Sequence, residues 1–313
     1  MVPEKLNLKG RDFLSLHDFT SEEILGMIDL AEELKEKKKW KVPHPYLQGK
    51  SLGMIFLKSS TRTRVSFEVA MYQLGGYPLF LSAADLQLKR GESVADTARV
   101  LSRYLDGIMI RTFAHDDVRE LAEYADIPVI NGLTDLLHPC QVLADLQTIR
   151  EKKGKLSGLK LAFVGDGNNV CNSLMFGCAK VGIDIAVATP RGYEPNDLIT
   201  NLARQDALKQ GVSLKITNDP VEAVQDADVV VTDVWASMGQ EDEKAHRIGE
   251  FAPYQINEKL VSHARPDYIF LHCLPANRGE EVAEEIIDGP NSVVWDEAEN
   301  RLHTQKALLA LLL

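Results

Sequence analysis

Short continuous apolar runs alternate with amphipathic helical patterns along almost the whole chain, and no other feature narrows the choice of fold so far. Leu52-Gly53-Met54-Ile55-Phe56-Leu57, Gly107-Ile108-Met109-Ile110 and Val229-Val230-Val231, with residues 159–164 and 183–188, lack the polar alternation of a strand with one wet face. Strands buried on both faces and separated by helices belong to parallel sheets, because parallel neighbours need a crossover that covers the sheet. Behind the capping signal Thr20-Ser21-Glu22-Glu23, the residues Ile24, Met27, Ile28, Ala31 and Leu34 form a helical stripe. Phe67, Met71 and Leu74 form another, which Gly75-Gly76 closes. Further strands are expected at 77–81, 128–130, 213–216, 268–271 and 293–294, with helices between them. Lys152-Lys153-Gly154-Lys155-Leu156-Ser157-Gly158 has linker composition, and the apolar pattern restarts after it. The expectation is an α/β chain of two domains, 1–150 and 151–297. Each is a parallel open sheet with helices on both faces, and the active site lies in the cleft between them.

Open parallel sheets bind ligands beyond the carboxyl ends of their strands, and the unusual polar clusters of this chain fall there. Ser59-Ser60-Thr61-Arg62-Thr63-Arg64 delivers four serine or threonine hydroxyls near a helix N-terminus together with two guanidiniums. Backbone N–H groups and the helix dipole already favour an anion there, and arginine adds bidentate donors suited to phosphate. Arg111 and His138-Pro139-Cys140-Gln141 end other strands of the first half. In the second half the clusters are Gly165-Asp166-Gly167-Asn168-Asn169, Asp233 through Ser237-Met238-Gly239, and His272-Cys273-Leu274-Pro275. An anion is expected on the first domain and a zwitterionic or cationic molecule on the second.

Composition limits the partners. A net charge of −11 argues against a nucleic-acid or anionic-membrane surface, so the arginines mark a local pocket for a small anion. No apolar run approaches the ~20 residues of a membrane span, and the first residues lack a signal-peptide core, so a cytoplasmic protein is expected. The four cysteines have neither metal-ligand nor disulfide spacing, which predicts reduced thiols and no metal. Glu241 to Glu250 is polar throughout and reads as a solvated loop or a lid.

Ser60-Thr61-Arg62-Thr63-Arg64, His138-Pro139-Cys140-Gln141, Asp233 with Ser237-Met238-Gly239, and His272-Cys273-Leu274-Pro275 together resemble the transcarbamoylases, most closely the branch that acts on ornithine. The resemblance covers essentially the whole chain. It implies transfer of the carbamoyl group of carbamoyl phosphate to the δ-amine of L-ornithine, no cofactor, and a homotrimer or multiple of trimers. It makes Ser60, Thr61, Arg62 and Thr63 a phosphate cradle, with Arg111 between phosphate and carbonyl oxygen. His138 and Gln141, with Pro139 and Cys140 between them, belong to the carbamoyl group. Gln87 would serve a neighbouring subunit, although Lys89 departs from a common glycine there. Arg301 would close over carbamoyl phosphate from a C-terminal helix, about 298–313, that packs back on the first domain. Asn169 and the Met238 backbone would hold the ornithine carboxylate, Asp233 and Ser237 the α-ammonium, and Cys273 and the Leu274 carbonyl would face the δ-amine. Arg111, His138, Asp233 and Cys273 form the implied catalytic set.

Two rival readings are weaker. A sister transcarbamoylase would use aspartate, putrescine or N-acetylornithine, but Asp233 is an acid where aspartate needs a base, and putrescine has no carboxylate for Asn169. An NAD-dependent dehydrogenase would explain Gly165-x-Gly167 after a strand, yet the third glycine and the acidic ribose ligand are absent.

Overall fold

The computed structural model describes residues 6–84, 86, 91–236, 239 and 243–313. Gln87, Ser237 and Met238 lie outside the described residues. The chain divides into two compact units, one running up to Ala144 and taking in Asn300–Leu313, the other Asp145–Glu299. The first division therefore falls inside a helix rather than in the basic, glycine-containing segment that follows it.

The first unit holds α1 (Ser21–Lys39), β1 (Ser51–Phe56), α2 (Thr61–Gln73), β2 (Tyr77–Ser82), α3 (Val94–Leu101), β3 (Gly107–Arg111), α4 (His115–Tyr124), β4 (Val129–Leu133) and the start of α5 (Pro139–Lys153). Its parallel sheet has the order β2-β1-β3-β4. Ile55, Ile108, Ile110, Val118, Leu121 and Val129 share one core cluster, as continuous apolar strands require. From β1 the chain steps outward to β2 and then crosses back to β3. The topological switch thus lies between the carboxyl ends of β1 and β3, where Ser60 and Arg111 stand. α2 starts cleanly because the Ser60 hydroxyl caps it, accepting from the Thr63 N–H at 3.2 Å.

The second unit takes the rest of α5, then β5 (Lys160–Val164), α6 (Asn169–Val181), β6 (Asp184–Ala188), α7 (Asp197–Gln210), β7 (Leu214–Thr217), α8 (Pro220–Val224), β8 (Val229–Thr232), α9 (Lys244–Phe251), α10 (Glu258–Val261), β9 (Ile269–His272) and α11 (Glu284–Ile287). Helix α12 (Val294–Leu312) begins here and ends in the first unit. The parallel sheet order is β7-β6-β5-β8-β9, which puts the switch between β5 and β8. Asn168 caps α6 by accepting from the N–H groups of Val170 and Cys171, and Gly182 ends that helix at φ +81°.

Two expectations fail. No strand forms at 293–294: Ser292 makes a lone bridge to Phe270 and Val293 donates once to the Phe270 carbonyl, after which α12 begins. Asp296 and Glu297 in the first turn suit a helix N-terminus and outweigh the β-propensity of two valines. The described part of the polar stretch 241–250 is not a solvated loop, because α9 starts at Lys244 and buries Arg247 and Phe251. Among the described residues no helix is long and apolar enough to cross a membrane.

Candidate active site

In the first unit the groups converge on the Thr63 hydroxyl, which is 1% exposed. It accepts from Arg111 Nη1 at 3.3 Å and from Arg301 Nη2 at 2.9 Å. Arg111 reaches inward from a register shift between Ile110 and itself, the kind of irregularity that re-aims a side chain. Arg301, on α12, also donates through Nη1 to Gln141 Oε1 at 2.5 Å and to His138 Nε2 at 3.3 Å. Guanidinium only donates, so Nε2 of His138 accepts and the imidazole is neutral in this arrangement. Burial, followed by the charges of Arg301, Arg111, Arg62 and Lys58, holds its pKa well below the ordinary 6.5.

No acidic residue stands in the first turn of α2, where the helix dipole favours an anion beside Ser60, Thr61 and Arg62. Arg64, the second guanidinium of the motif, instead pairs with Glu68 at 2.9 Å and lies 3.7 Å over the Phe80 ring. Lys58 is buried and pairs with the exposed Asp135 at 2.9 Å. Pro139 opens α5 behind His138. Burial pushes the Cys140 thiol up to about 12 and the thiol donates to the Asn131 carbonyl, so Cys140 sets position rather than offering a nucleophile.

In the second unit the focus is Asp233, just beyond β8. Its Oδ2 accepts from Asn168 Nδ2 at 2.7 Å and its Oδ1 from the Cys273 thiol at 3.1 Å. Burial and the Asp233 carboxylate raise the Cys273 pKa well above 9.0, so the sulfur is a neutral donor. The loop after β9 is held by His272: its Nδ1 accepts from the Leu274 N–H at 2.9 Å, which leaves Nε2–H to donate to Glu281 at 3.2 Å. Leu274 itself sits at φ +57°, a left-handed conformation that disfavours a side chain by about 1–2 kcal/mol. Glu297 fixes the same loop from the other side by accepting from the His272 N–H at 2.8 Å.

Asp233, His272 and Cys273 have potential metal-ligand atoms within 4.8 Å of one another. Both His272 nitrogens are engaged elsewhere, with Glu281 and the Leu274 N–H, while the Cys273 thiol donates to Asp233. Asn169 opens α6, half-buried, beside Asn168. Position 167 requires glycine, because a Cβ there would lie 2.3 Å from the Pro195 nitrogen.

The structure therefore brings Thr63, Arg111, His138, Gln141 and Arg301 together in the first unit, and Asp233 with Cys273 in the second. Gln87, Ser237 and Met238 are outside the described residues. Sequence reasoning missed Asn168 as the partner of Asp233, Glu281 and Glu297 as the supports of the His272 loop, and the pairing of Arg247 with Asp166. Asn168 stood in a polar cluster and its capping position was a usable signal. The others depend on contacts between distant segments.

A parallel α/β chain with an arginine-lined anion site in one unit and an acid–amide–thiol cluster in the other fits a group-transfer enzyme with a phosphorylated donor. Residues 11–151 match the carbamoyl-P binding domain, and residues 157–312 the Asp/Orn binding domain, of aspartate/ornithine carbamoyltransferase. The chain belongs to the aspartate/ornithine carbamoyltransferase family. It is 66% identical over 305 residues to an ornithine carbamoyltransferase of Carboxydothermus hydrogenoformans, spanning 97% of this chain and 98% of the relative. It is 59% identical to the anabolic ornithine carbamoyltransferase of Pyrococcus furiosus over 98% of both chains. The solved structure of a P. furiosus ornithine carbamoyltransferase superposes with a TM-score of 0.95, covering 98% of each chain, and that from Thermus thermophilus with 0.86 at 42% identity, covering 96% of this chain and 99% of the other.

Proposed function

We propose that this chain is an ornithine carbamoyltransferase, forming L-citrulline and phosphate from carbamoyl phosphate and L-ornithine. The observation that carries this reading is the Asp233 carboxylate held between Asn168 and Cys273. A fixed acid flanked by neutral donors suits an α-ammonium and an amine, and speaks against aspartate as acceptor. Ser60, Thr61, Arg62 and Thr63 cradle the phosphate with Arg111, while His138, Gln141 and Arg301 take the carbamoyl group. Asn169 and the Met238 backbone hold the ornithine carboxylate, Asp233 and Ser237 its α-ammonium.

The δ-amine resembles lysine, with a pKa of about 10.4, so about one molecule in a thousand is nucleophilic near neutral pH. Cys273 and the Leu274 carbonyl face the δ-amine, and a neutral thiol there adds no negative charge that would hold the amine protonated. Its nitrogen attacks the carbamoyl carbon, the new C–N bond forms, and the carbonyl electrons move onto oxygen near Arg111, Arg301 and the Thr63 hydroxyl. Collapse breaks the C–O bond to phosphate, which leaves with its charge offset by the arginines and takes the amine proton. His138, neutral, supplies hydrogen bonding to the carbamoyl group without adding charge.

The working assembly is a homotrimer, or a multiple of trimers, in the cytoplasm, with Gln87 given to a neighbouring subunit. Support for assembly comes from Tyr72 and Tyr77, 79% and 68% exposed at the end of α2 and on the edge strand β2. Incubation of carbamoyl phosphate with ornithine should give citrulline and phosphate in equal amounts without added metal or cofactor. Phosphate release without citrulline would refute the reading.

A further inference from the structure

Outside the groups that would touch substrate, Arg247 on α9 is tied to several segments of the second unit at once. It is 6% exposed. Its Nη1 donates to Asp166 Oδ2 at 3.1 Å and to the Trp235 carbonyl at 2.9 Å, and its Nε to Glu243 at 2.9 Å. The guanidinium lies 4.9 Å over the Tyr193 ring, and Tyr193 and Trp235 both pack on Phe251 of the same helix. These contacts close a ring. Asp166 accepts through its carbonyl from the Asn168 N–H at 2.7 Å, Asn168 donates to Asp233, and Asp233 leads through Val234 to Trp235, whose carbonyl returns to Arg247.

We propose that Arg247 is a positioning residue for the amino-acid substrate, clamping the turn after β5 to the segment after β8 so that Asn169 and Asp233 are held at one spacing. The inference rests on the ornithine reading above. Removing the clamp loosens the ornithine groups and leaves the phosphate and carbamoyl groups of the first unit untouched.

The clamp also carries a charge switch. Burial raises the Asp166 pKa to about 6, against the lowering by Arg247, with Asp233 and Glu243 adding to the rise. Among the described residues the titratable and charged groups that face it are Arg247 on α9, Asp233 after β8, Glu243 at the start of α9 and the Cys171 thiol on α6. As pH falls through that value Asp166 takes a proton, its bond to Arg247 is no longer charge-assisted, and the clamp weakens.

The test compares the wild type with Arg247→Ala, Arg247→Lys and Asp166→Asn, reading KM for each substrate, kcat, and the inhibition constant of L-norvaline. Norvaline is ornithine without the δ-amine, so its own charge does not change between about pH 5.5 and 8. Arg247→Ala should raise the ornithine KM and the norvaline constant about tenfold or more, the scale of one lost hydrogen bond to a charged group, with kcat and the carbamoyl phosphate KM within about twofold. Arg247→Lys should recover part of the loss. Wild-type norvaline binding should weaken as pH falls through about 6, and Asp166→Asn should flatten that dependence. An unchanged ornithine KM in folded Arg247→Ala, or an equal rise in both KM values, overturns the clamp. Should that variant not fold, a norvaline profile identical in wild type and Asp166→Asn overturns it instead. Absence of carbamoyl transfer by the wild type would remove the underlying reading, a result distinct from any of these.

Discussion

The Asp233 carboxylate divides its two oxygens between an amide and a thiol, and that division defines what each neighbour can do. A carboxylate beside a half-buried thiol keeps the thiol protonated, so Cys273 donates to Asp233. Alkylation of Cys273 by iodoacetamide should therefore be slow at neutral pH and still be rising above pH 9, the value about which an ordinary thiol titrates here. A plateau reached below that pH would show a thiolate and contradict the geometry. Replacing Cys273 by serine keeps a donor for Asp233, whereas alanine leaves one carboxylate oxygen without its partner. Steady-state kinetics should find Cys273→Ala worse than Cys273→Ser by about tenfold in kcat/KM for ornithine.

Elements place these residues, and their terminal chemistry is testable separately from the reaction. Ser60→Ala removes the α2 cap and should destabilise the protein by about 1 kcal/mol in denaturant unfolding, in addition to any effect on carbamoyl phosphate. Helix α12 presents a second case. Lys306 is fully buried, donating to the Leu34 carbonyl at 3.2 Å and to His44 Nε2 at 3.3 Å, and burial lowers its pKa from 10.5 to about 8. Between those values the unfolded chain binds the extra proton, so stability should rise with pH from about 8 to 10.5. Lys306→Met should abolish that rise, as read by the melting temperature against pH.

The strands and most helices were legible because continuous apolar runs and capping residues are local signals. Ser60 to Thr63 was legible for the same reason, as hydroxyls and arginine packed into one helical turn. The joining of Arg301 to Thr63, His138 and Gln141 was not, since more than 150 residues separate α12 from each of them and only the family resemblance pointed there. Arg247 was hidden differently: among Glu241 to Glu250 it reads as one more surface charge, and only the fold shows that Asp166 neutralises it out of water.

At the scale of the molecule, chemistry is apportioned by topology. Each parallel sheet has one switch point, and the proposed function gives each one half of the reaction, an anion set after β1 and β3 and an amino-acid set after β5 and β8. The first half suits any carbamoyl transfer. The second decides the acceptor, and the account stands on its choice of ornithine. The most direct measurement is kcat/KM for L-ornithine beside aspartate, putrescine and N-acetylornithine, each with carbamoyl phosphate, from about pH 6 to about pH 9. Ornithine should exceed the others by at least about a hundredfold, since the loss or reversal of one charged end leaves buried polar partners unmatched, and its rate should rise with pH as the amine deprotonates. A comparable or larger value for another acceptor would contradict the assignment of Asp233, Asn169 and Cys273 to ornithine.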